Sequence, residues 1–419
     1  MRKLFWKFSL LSFFPARLTW GRKLPRDLTV IMTTDTYHPL MSGVTRIIDL
    51  FIEELSRYGV RTILLAPYPQ REALRVVQDG LTKKILLNSF SLRYIYPEFR
   101  APRPFDPLIA LRLNIRRILK PSRYVIHAHT PYVSTEQLRI SLRPLKWKPP
   151  IILTYHTLVN VYTKVRFGRL YKPIEKVDRF FLARSLLKSR VVIVPSKYAR
   201  DELVEYLPKR AKIVAKRILI IPNPLPRWEF EAPNRRVYEI YDFLEEKNYA
   251  VWVGRISHEK NLPYILKIFA GLPYRLVVVG KGPLLEEFRK IAPKNIIFTG
   301  FVDDETLKTL LFYARCFAIS SPFETFSLAA LEAMAHRVPV VAYTQGGYSE
   351  FIKHGYNGFR FKNISEARRY ITRIFRDDEL YEELSRNAYE TALKYHPDRI
   401  IPLHIALYEK LAVFGPPDI

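Results

Sequence analysis

Residues 316–343 read CFAISSPFETFSLAALEAMAHRVPVVAY, and this stretch decides the fold. The apolar run CFAISS predicts a buried strand, and the Ala- and Leu-rich segment from Ser327 to about His336 predicts a short helix. Pro339 ends that helix, and PVVAY predicts a second buried strand. A strand, a helix and a second strand in this order are typical of a parallel sheet covered by helices. Glu324 lies in the loop before the helix, next to N–H groups that can hold phosphates or hydroxyls.

The same alternation runs along most of the chain. Candidate strands before residue 222 are LTVIMTT, RTILLAP, KKILL, YVIHAHT, IILTYHT, VVIVPS and ILIIPNP. Those after residue 234 are YAVWVGR, YRLVVVGKG, NIIFTGF, CFAISS, VPVVAY and NGFRF. The proline-rich residues 222–234 predict a linker. We therefore predict an α/β protein with two doubly wound Rossmann-like domains, residues 27–223 and 224–396, facing each other across a cleft.

Length and composition agree with this division. A chain of 419 residues is too long for one hydrophobic core, because single cores rarely exceed about 250–300 residues. The chain is 48% hydrophobic and 26% charged, which is typical of a folded protein. Its one cysteine, Cys316, excludes a disulfide framework and a cysteine-based metal cluster, and fits a reducing cytosol.

The net charge of +28 is concentrated in the first half of the chain. Residues 1–230 have 43 Lys and Arg against 16 Asp and Glu, whereas residues 231–419 have 25 against 24. A basic surface confined to one domain predicts an anionic partner: acidic lipid headgroups, a phosphate-bearing substrate or nucleic acid. The alternative is a surface that only increases solubility. Nucleic acid is disfavoured, because the aromatic residues are not interleaved with the basic ones as a stacking platform and no recognition module is present.

Two basic segments also carry apolar residues. Residues 1–26 mix Lys and Arg with Phe, Trp and Leu, and their uncharged run is far shorter than the ~20 residues that span a bilayer. They predict an interfacial anchor, with a disordered tail as the alternative. The stretch from Tyr162 to Arg190 has nine basic and two acidic residues around aromatic and leucine side chains, and predicts a helix lying on anionic lipid or an ordinary packed helix. We expect a soluble or peripheral protein.

Candidate ligand-binding residues of the first domain lie where strands end. Ser42 and Gly43 precede a predicted helix, in a turn through which a phosphate or sugar can approach the backbone. His127, His129 and His156 lie at the ends of two predicted strands. Histidines at such positions are more often structural than metal ligands, and the chain has neither D-x-D nor H-E-x-x-H. We therefore predict no metal site.

In the second domain, Arg255 and Lys260 lie on a turn that follows a strand and enters a helix. Two cations at this position can neutralise a leaving diphosphate, although a solvated charged loop would have the same sequence. The motif that contains Gly280 and Gly282, VVVGKGPL, matches neither the dinucleotide fingerprint nor the Walker loop. This excludes the usual NAD and ATP enzymes.

Two carboxylates complete the candidate site. Glu324 and Glu332 are eight residues apart, one in a loop and one on a helix, which disfavours the paired carboxylates of a glycosidase. Each can accept hydrogen bonds from a different set of hydroxyls. Glu332 lies in an apolar helix, so its carboxylate needs a partner. We expect Gly346 and Gly347 to approach the ligand, because neither has a Cβ.

These motifs together resemble those of the retaining glycosyltransferases of family 4, which have the GT-B fold. The E-x7-E spacing, GRISHEKN and GGYSEFIKHGYNGF carry the resemblance in the second domain. DTYHPLMSGV and the HAHTP…TYHT pair resemble the branch with diacylglycerol glucosyltransferases and phosphatidylinositol-type mannosyltransferases. The resemblance runs from about Asp27 to Phe361. It implies that the C-terminal helix, residues 397–414, crosses back onto the first domain, a point that the helical pattern alone leaves open.

The resemblance also implies a role for each candidate. Arg255 and Lys260 would bind the donor diphosphate, Glu324 the hydroxyls of the transferred sugar, and Glu332 the ribose, with His156 near the reacting sugar. Of these residues, the resemblance implies a catalytic role for Arg255, Lys260, Glu324 and His156.

The remaining implied contacts line the donor. They are the backbone at Phe326, Ser327 and Leu328, the approach of Gly43 from the first domain, and a base pocket formed by Gly280, Gly282 and Val302. Family members usually have glycine where this chain has Ser327, and we expect its side chain to cap the helix or to crowd the donor sugar.

The activity implied is metal-independent, retaining transfer of a hexose from a UDP- or GDP-sugar to a lipid or lipid-linked acceptor, without a cofactor. The second domain would bind the donor, and the basic first domain would bind the acceptor at the bilayer. The enzyme would be cytoplasmic and peripheral on the inner face of the cell membrane. Alternatives are the same chemistry on a soluble sugar or glycan, and, more remotely, a nucleic-acid-binding protein without enzymatic activity.

Overall fold

The computed structural model describes residues 27–39, 42–91, 100–156, 171–241 and 244–415. They form two sheets whose central strands are parallel and which are covered by helices on both faces. The predicted α/β class and the two doubly wound domains are confirmed. All of the candidate strands quoted above are strands in the structure.

Before the linker, the first domain contains nine strands and five α-helices in the described residues. The strands are β1 (Leu28–Thr33), β2 (Arg61–Tyr68), β3 (Leu74–Asp79), β4 (Thr82–Ser91), β5 (Arg100–Pro102), β6 (Arg123–Ala128), β7 (Ile151–Thr154), β8 (Val191–Val194) and β9 (Ile218–Ile220). The helices are α1 (Gly43–Arg57), α2 (Asp106–Ile118), α3 (Val133–Ser141), α4 (Tyr171–Lys188) and α5 (Lys197–Tyr206).

The first sheet has the order β3-β4-β2-β1-β6-β7-β8-β9. Central β1 is parallel to β2 and β6, with Ile31 opposite Ile63 and Ile126. The apolar runs leave the central strands buried on both sides, which explains their lack of alternation. Two antiparallel additions were not predicted, the β3–β4 hairpin and the short β5.

The second domain has a six-stranded parallel sheet of order β12-β11-β10-β13-β14-β15. Its strands are β10 (Tyr249–Val253), β11 (Arg275–Val279), β12 (Ile296–Gly300), β13 (Cys316–Ile319), β14 (Val340–Tyr343) and β15 (Gly358–Phe361). Its helices are α6 (Leu262–Phe269), α7 (Leu285–Ile291), α8 (Asp304–Phe312), α9 (Leu328–Ala335), α10 (Ile364–Arg376) and α11 (Asp378–Ala392).

The chain then returns to the first domain. Helix α12 (Pro397–Leu411) buries Ile400, Ile401 and Ile405 in the same core as residues of β1 and α1. The hydroxyl of Tyr408 lies 2.7 Å from Nδ1 of His127, and β16 (Val413–Phe414) pairs with the start of β6. The C-terminal element is therefore part of the first domain's structure.

The linker is held by an arginine fork. Arg227 donates from Nε and Nη2 to the two carboxylate oxygens of Glu54 on α1, at 2.7 and 2.8 Å. It also pairs with Asp398 on α12. Glu54 is fully buried, and Arg227 compensates its charge at closer range than Arg57 of the same helix, whose Nε lies 3.6 Å from Oε1. The fork ties the linker, α1 and α12 together.

The predicted basic helix from Tyr162 to Arg190 corresponds to α4, whereas residues 162–170 lie outside the described residues. Helix α4 buries Leu182 and Leu186 in the domain core and exposes Phe180 and Phe181. The predicted anchor at residues 1–26 also lies outside the described residues. None of the helices in the described ranges has the length and apolar character needed to cross a bilayer.

Candidate active site

A cavity of about 640 Å³ lies between the C-terminal ends of the two sheets. All twelve residues to which the resemblance assigns a role at the donor or the reacting sugar line it. They are Gly43 and His156 from the first domain, and Arg255, Lys260, Gly280, Gly282, Val302, Glu324, Phe326, Ser327, Leu328 and Glu332 from the second. Doubly wound sheets bind ligands at this end, because the loops that follow the strands converge there.

Lys260 and Glu324 form an ion pair in this cavity. The Nζ atom of Lys260 lies 2.5 Å from Oε1 of Glu324. Lys260 ends a short 3-10 turn after β10, and Glu324 lies in the loop after β13, so two adjacent strands deliver the pair. The amide of Gly347 donates to the Glu324 carbonyl at 2.7 Å and holds the loop. A cation and a carboxylate arranged in this way can bind an anionic phosphate and a neutral hydroxyl side by side.

Gly346 and Gly347, which were expected to come close to a ligand, are not among the residues that line the cavity. A Cβ at Gly347 would lie 2.1 Å from the Thr325 carbonyl oxygen, so this glycine is required where its own loop packs on the Glu324 loop. Gly346 has a φ of +128°. The absence of a side chain at Gly347 thus lets its loop pack against the loop that carries Glu324.

Glu332 is buried in α9, with 4% of its side chain exposed. Its Oε1 accepts from Nη1 of Arg46 at 3.2 Å, and Nη2 of the same arginine lies 2.6 Å from Asp304. Burial raises the pKa of Glu332 to about 7, while Arg46 opposes that increase. The predicted need for a partner is thus met across the domain boundary. Arg46 could have been selected from the sequence, because it follows Gly43 by three residues on the same predicted helix. Its pairing with Glu332 could not, because the two residues are far apart in the sequence.

A second buried carboxylate lies behind Glu332. Oε2 of Glu229 lies at hydrogen-bond distance, 2.9 Å, from Nε2 of His336. Burial raises the pKa of Glu229 to about 8 and lowers that of His336 to about 4, so the imidazole is neutral near pH 7. The negative charges of Glu229 and Glu332 disfavour each other. This polar pair was missed, because Glu229 lies in the linker and His336 at the helix end.

Ser327 does not cap α9, so that expectation is wrong. Its φ is +75° and its side chain makes no capping hydrogen bond, because a left-handed residue directs its side chain away from the helix N–H groups. This conformation favours glycine, which explains the usual residue of the family at this position. The chain therefore accepts backbone strain at the wall of the cavity.

Gly280 and Gly282 are required by the fold as well as by the cavity. A Cβ at Gly280 would lie 1.9 Å from the Gly254 carbonyl oxygen, and one at Gly282 would lie 2.1 Å from that of Ile256. The loops after β10 and β11 therefore touch through their backbones. By contrast, a Cβ at Gly43 would meet open space, and the neighbouring Ser42 caps α1 by accepting from the Thr45 amide at 3.2 Å.

The three histidines of the first domain have different roles. His156 lines the cavity, and its Nε2 lies 3.1 Å from Nδ1 of His129. His127 lies deeper, between Tyr408 and Thr154. Burial lowers the pKa of all three, to about 4 for His156, so they are neutral at pH 7.

Hydrogen bonds also join the domains around the cavity. The hydroxyl of Thr325, next to Glu324, donates to the His156 carbonyl at 2.8 Å. Ser196 donates from its hydroxyl to the Thr325 carbonyl at 2.6 Å. These contacts place the loop that carries Glu324 against the strand ends of the first domain.

Two family descriptions match the chain. Glycosyltransferase Family 4 matches residues 41–226, and Glycosyl transferases group 1 matches residues 236–391. The two matches cover both sheet domains. The chain belongs to glycosyltransferase family 4. The resemblance found in the motifs is confirmed.

Individual relatives of this family 4 glycosyltransferase are distant. The sulfoquinovosyl transferase SQD2 of Arabidopsis thaliana is 29% identical over 302 residues, 68% of this chain and 57% of SQD2. The chain thus spans little more than half the length of that relative. The alpha-monoglucosyldiacylglycerol synthase of Acholeplasma laidlawii is 24% identical over 85% of this chain and 90% of the synthase.

A solved structure shows the same fold. Anabaena HepE in complex with UDP-glucose superimposes with a TM-score of 0.65 at 15% identity, over 92% of this chain and 99% of HepE. The GT-B fold predicted for this family 4 glycosyltransferase is confirmed.

Proposed function

We propose that this glycosyltransferase transfers a hexose from a UDP- or GDP-sugar to a lipid or lipid-linked acceptor, with retention of anomeric configuration and without a metal or other cofactor. The observation that carries the proposal is the Lys260–Glu324 pair at the end of two adjacent strands, in one cavity with Glu332. The second domain would hold the donor, and the first domain the acceptor.

In the proposed donor complex, the cations and carboxylates divide the ligand between them. Arg255 and Lys260 take the diphosphate, whose negative charge increases as the leaving group departs. Glu324 accepts hydroxyls of the hexose, and Glu332 accepts those of the ribose. The neutral His156 and the backbone of Gly43 reach the sugar from the first domain.

In the proposed reaction, the bond between the sugar's anomeric carbon and the diphosphate oxygen breaks. A bond to the acceptor oxygen forms on the same face of the sugar. The acceptor hydroxyl gives its proton to the departing phosphate oxygen. With Arg255 and Lys260 neutralising the charge on that phosphate, the proposed chemistry needs neither a metal ion nor a separate base.

The lipid acceptor is supported by two observations. The Acholeplasma laidlawii relative is named as an alpha-monoglucosyldiacylglycerol synthase, a name that states a lipid product. In this chain, residues 1–230 hold nearly all of the net positive charge, which favours an anionic surface beside the acceptor domain. The enzyme would act as a cytoplasmic protein attached peripherally to the inner face of the membrane.

The proposal is tested by incubating the full chain and EDTA with labelled UDP- and GDP-hexoses and extracted lipids. We expect one donor to yield a labelled glycolipid, and Glu324→Gln to abolish transfer. Glu286→Gln, on the exposed face of α7, is the matched control and should remain active. Label appearing only in a soluble glycan would overturn the lipid acceptor, and an absolute requirement for a divalent cation would overturn the metal-independent chemistry.

A further inference from the structure

Helix α2 presents an apolar ridge to solvent. Phe105, Ile109 and Leu113 are 73%, 56% and 76% exposed. They are spaced by four residues, so they form one line along the helix and its N-cap. The opposite side of the helix buries Leu111 and Ile115 in the domain core. The helix is thus apolar on both sides, and only one of these sides is covered by the described chain.

Basic side chains surround this ridge. The exposed ones are Arg103, Arg112, Arg116, Arg117 and Lys120. The carboxylate of Asp106, at the first residue of the helix, is the only acidic side chain within the helix. An apolar line flanked almost entirely by cations is complementary to a surface with anionic headgroups above a hydrocarbon layer.

A second ridge of the same kind lies on α4. Val177, Phe180 and Phe181 are exposed, and Lys176 and Arg184 are exposed beside them.

Both helices belong to one layer. The buried faces of α2, α3 and α4 contribute to a single core on one side of the first sheet. Helix α3 lies between the other two, in contact with α2 through packing and with α4 through the Lys188–Glu136 ion pair, at 2.6 Å. The two ridges therefore face outward from the same layer, whereas α1 and α12 cover the other side of the sheet.

We propose that this layer, residues 103–120 of α2 together with the exposed face of α4, is the surface that docks the enzyme on an anionic bilayer. The inference rests on the proposed lipid acceptor and locates where the membrane lies. Nucleic acid would use the cations but would leave the apolar ridges in water, so a bilayer satisfies both features of the surface. Phe105 is the N-cap of α2, which starts at the cleft end of the first sheet. The end of the ridge that carries Phe105 is therefore the end nearer the cavity.

The test is sedimentation of the full chain with vesicles of phosphatidylcholine, with and without phosphatidylglycerol. Wild type should bind the anionic vesicles and stay in solution with the neutral ones. In the double variant Ile109→Ser with Leu113→Ser, we expect the partition coefficient to fall roughly a hundredfold, because two side chains no longer enter the apolar layer. Arg112→Glu with Arg116→Glu should reduce it at least twentyfold, from about fivefold for each cation removed. Ile291→Ser, at a residue 63% exposed on α7 of the second domain, is the matched control and should bind normally.

Three outcomes would overturn the docking surface: wild type that binds neither vesicle, serine variants that bind like wild type, or wild-type dimers in solution that the serine variants convert to monomers. The last would make the ridge an interface between two copies. Transfer to a detergent-solubilised acceptor separates this inference from the proposed function. The serine variants should retain that transfer, since the ridge is outside the cavity. Loss of vesicle binding with normal transfer supports the docking surface, whereas vesicle binding without any transfer would refute the function alone.

Discussion

Replacing Glu332 with glutamine should stabilise the protein and, at the same time, weaken donor binding. The carboxylate is 4% exposed, and burial raises its pKa to about 7 from 4.5. A difference of that size between the folded and unfolded chain corresponds to a penalty of about 3 kcal/mol for an ionised Glu332 well above pH 7. Glutamine has the same shape without the charge, and its carbonyl oxygen can still accept from Arg46. The weaker bond to Arg46 offsets part of the gain, so we expect a net increase of about 1–2 kcal/mol in the free energy of unfolding.

The pH dependence identifies the cause. A carboxyl group with a raised pKa in the folded state contributes stability that is complete below pH 4.5 and is lost as the pH rises through about 7. The difference between Glu332→Gln and wild type should therefore be near zero at pH 4.5 and largest near pH 8. Urea denaturation at a series of pH values measures it.

The same substitution should weaken donor binding. Glu332 is proposed to accept two ribose hydroxyls, and a hydrogen bond to a charged acceptor contributes about 1.5–3 kcal/mol. Loss of the charge should reduce affinity for UDP or GDP at least tenfold in calorimetric titration, with Glu286→Gln as an unaffected control. A variant that is less stable at pH 8 and binds nucleotide normally would refute both the burial argument and the ribose role.

Three further predictions concern the framework of the site. Ser327→Gly should raise the free energy of unfolding by up to about 1 kcal/mol, because glycine adopts a φ of +75° without strain. A lower free energy of unfolding for this variant, measured by urea denaturation, would contradict the prediction. Helix α12 buries His404, whose ring lies 5.9 Å from that of His127. The melting temperature should fall as the pH drops below about 6.5, because burial lowers the pKa of His404 to about 3 and also lowers the pKa of His127 and His129. His404→Leu should make that fall shallower in calorimetric scans, and an unchanged slope would count against it. Arg227→Met should cost about 3 kcal/mol of stability, because it removes the bidentate ion pair of the buried Glu54. Arg236→Met, which removes the exposed ion pair with Glu246, is the control and should cost less than about 1 kcal/mol. Equal losses in the two variants would show that the Arg227 ion pair is unimportant.

Much of the fold follows from local pattern. Buried parallel strands are continuous apolar runs, and the helices between them have caps and stops that a single sequence displays, as at Ser42 and Gly59. The β3–β4 hairpin was missed although Asp79-Gly80 is a typical turn pair, with Gly80 at a φ of +55°.

The site divides in the same way. Residues at strand ends, such as Lys260 and Glu324, could be predicted, because a doubly wound sheet places strand ends at one edge. Arg46 and Glu229 could not, since each meets its partner across a hundred or more residues of sequence. The left-handed conformation of Ser327 was hidden for another reason. Its residue type favours a helix cap, and only the packing of the loop overrides that preference.

Calorimetric titration of UDP- and GDP-hexoses in EDTA, into wild type and Lys260→Met, tests the central claim most directly. The proposed site predicts that wild type binds one sugar nucleotide without metal, and that the folded variant binds it at least tenfold more weakly, since it lacks the charge-assisted contact with the diphosphate. Equal affinity of the two proteins, or binding that appears only after a divalent cation is added, would contradict the claim.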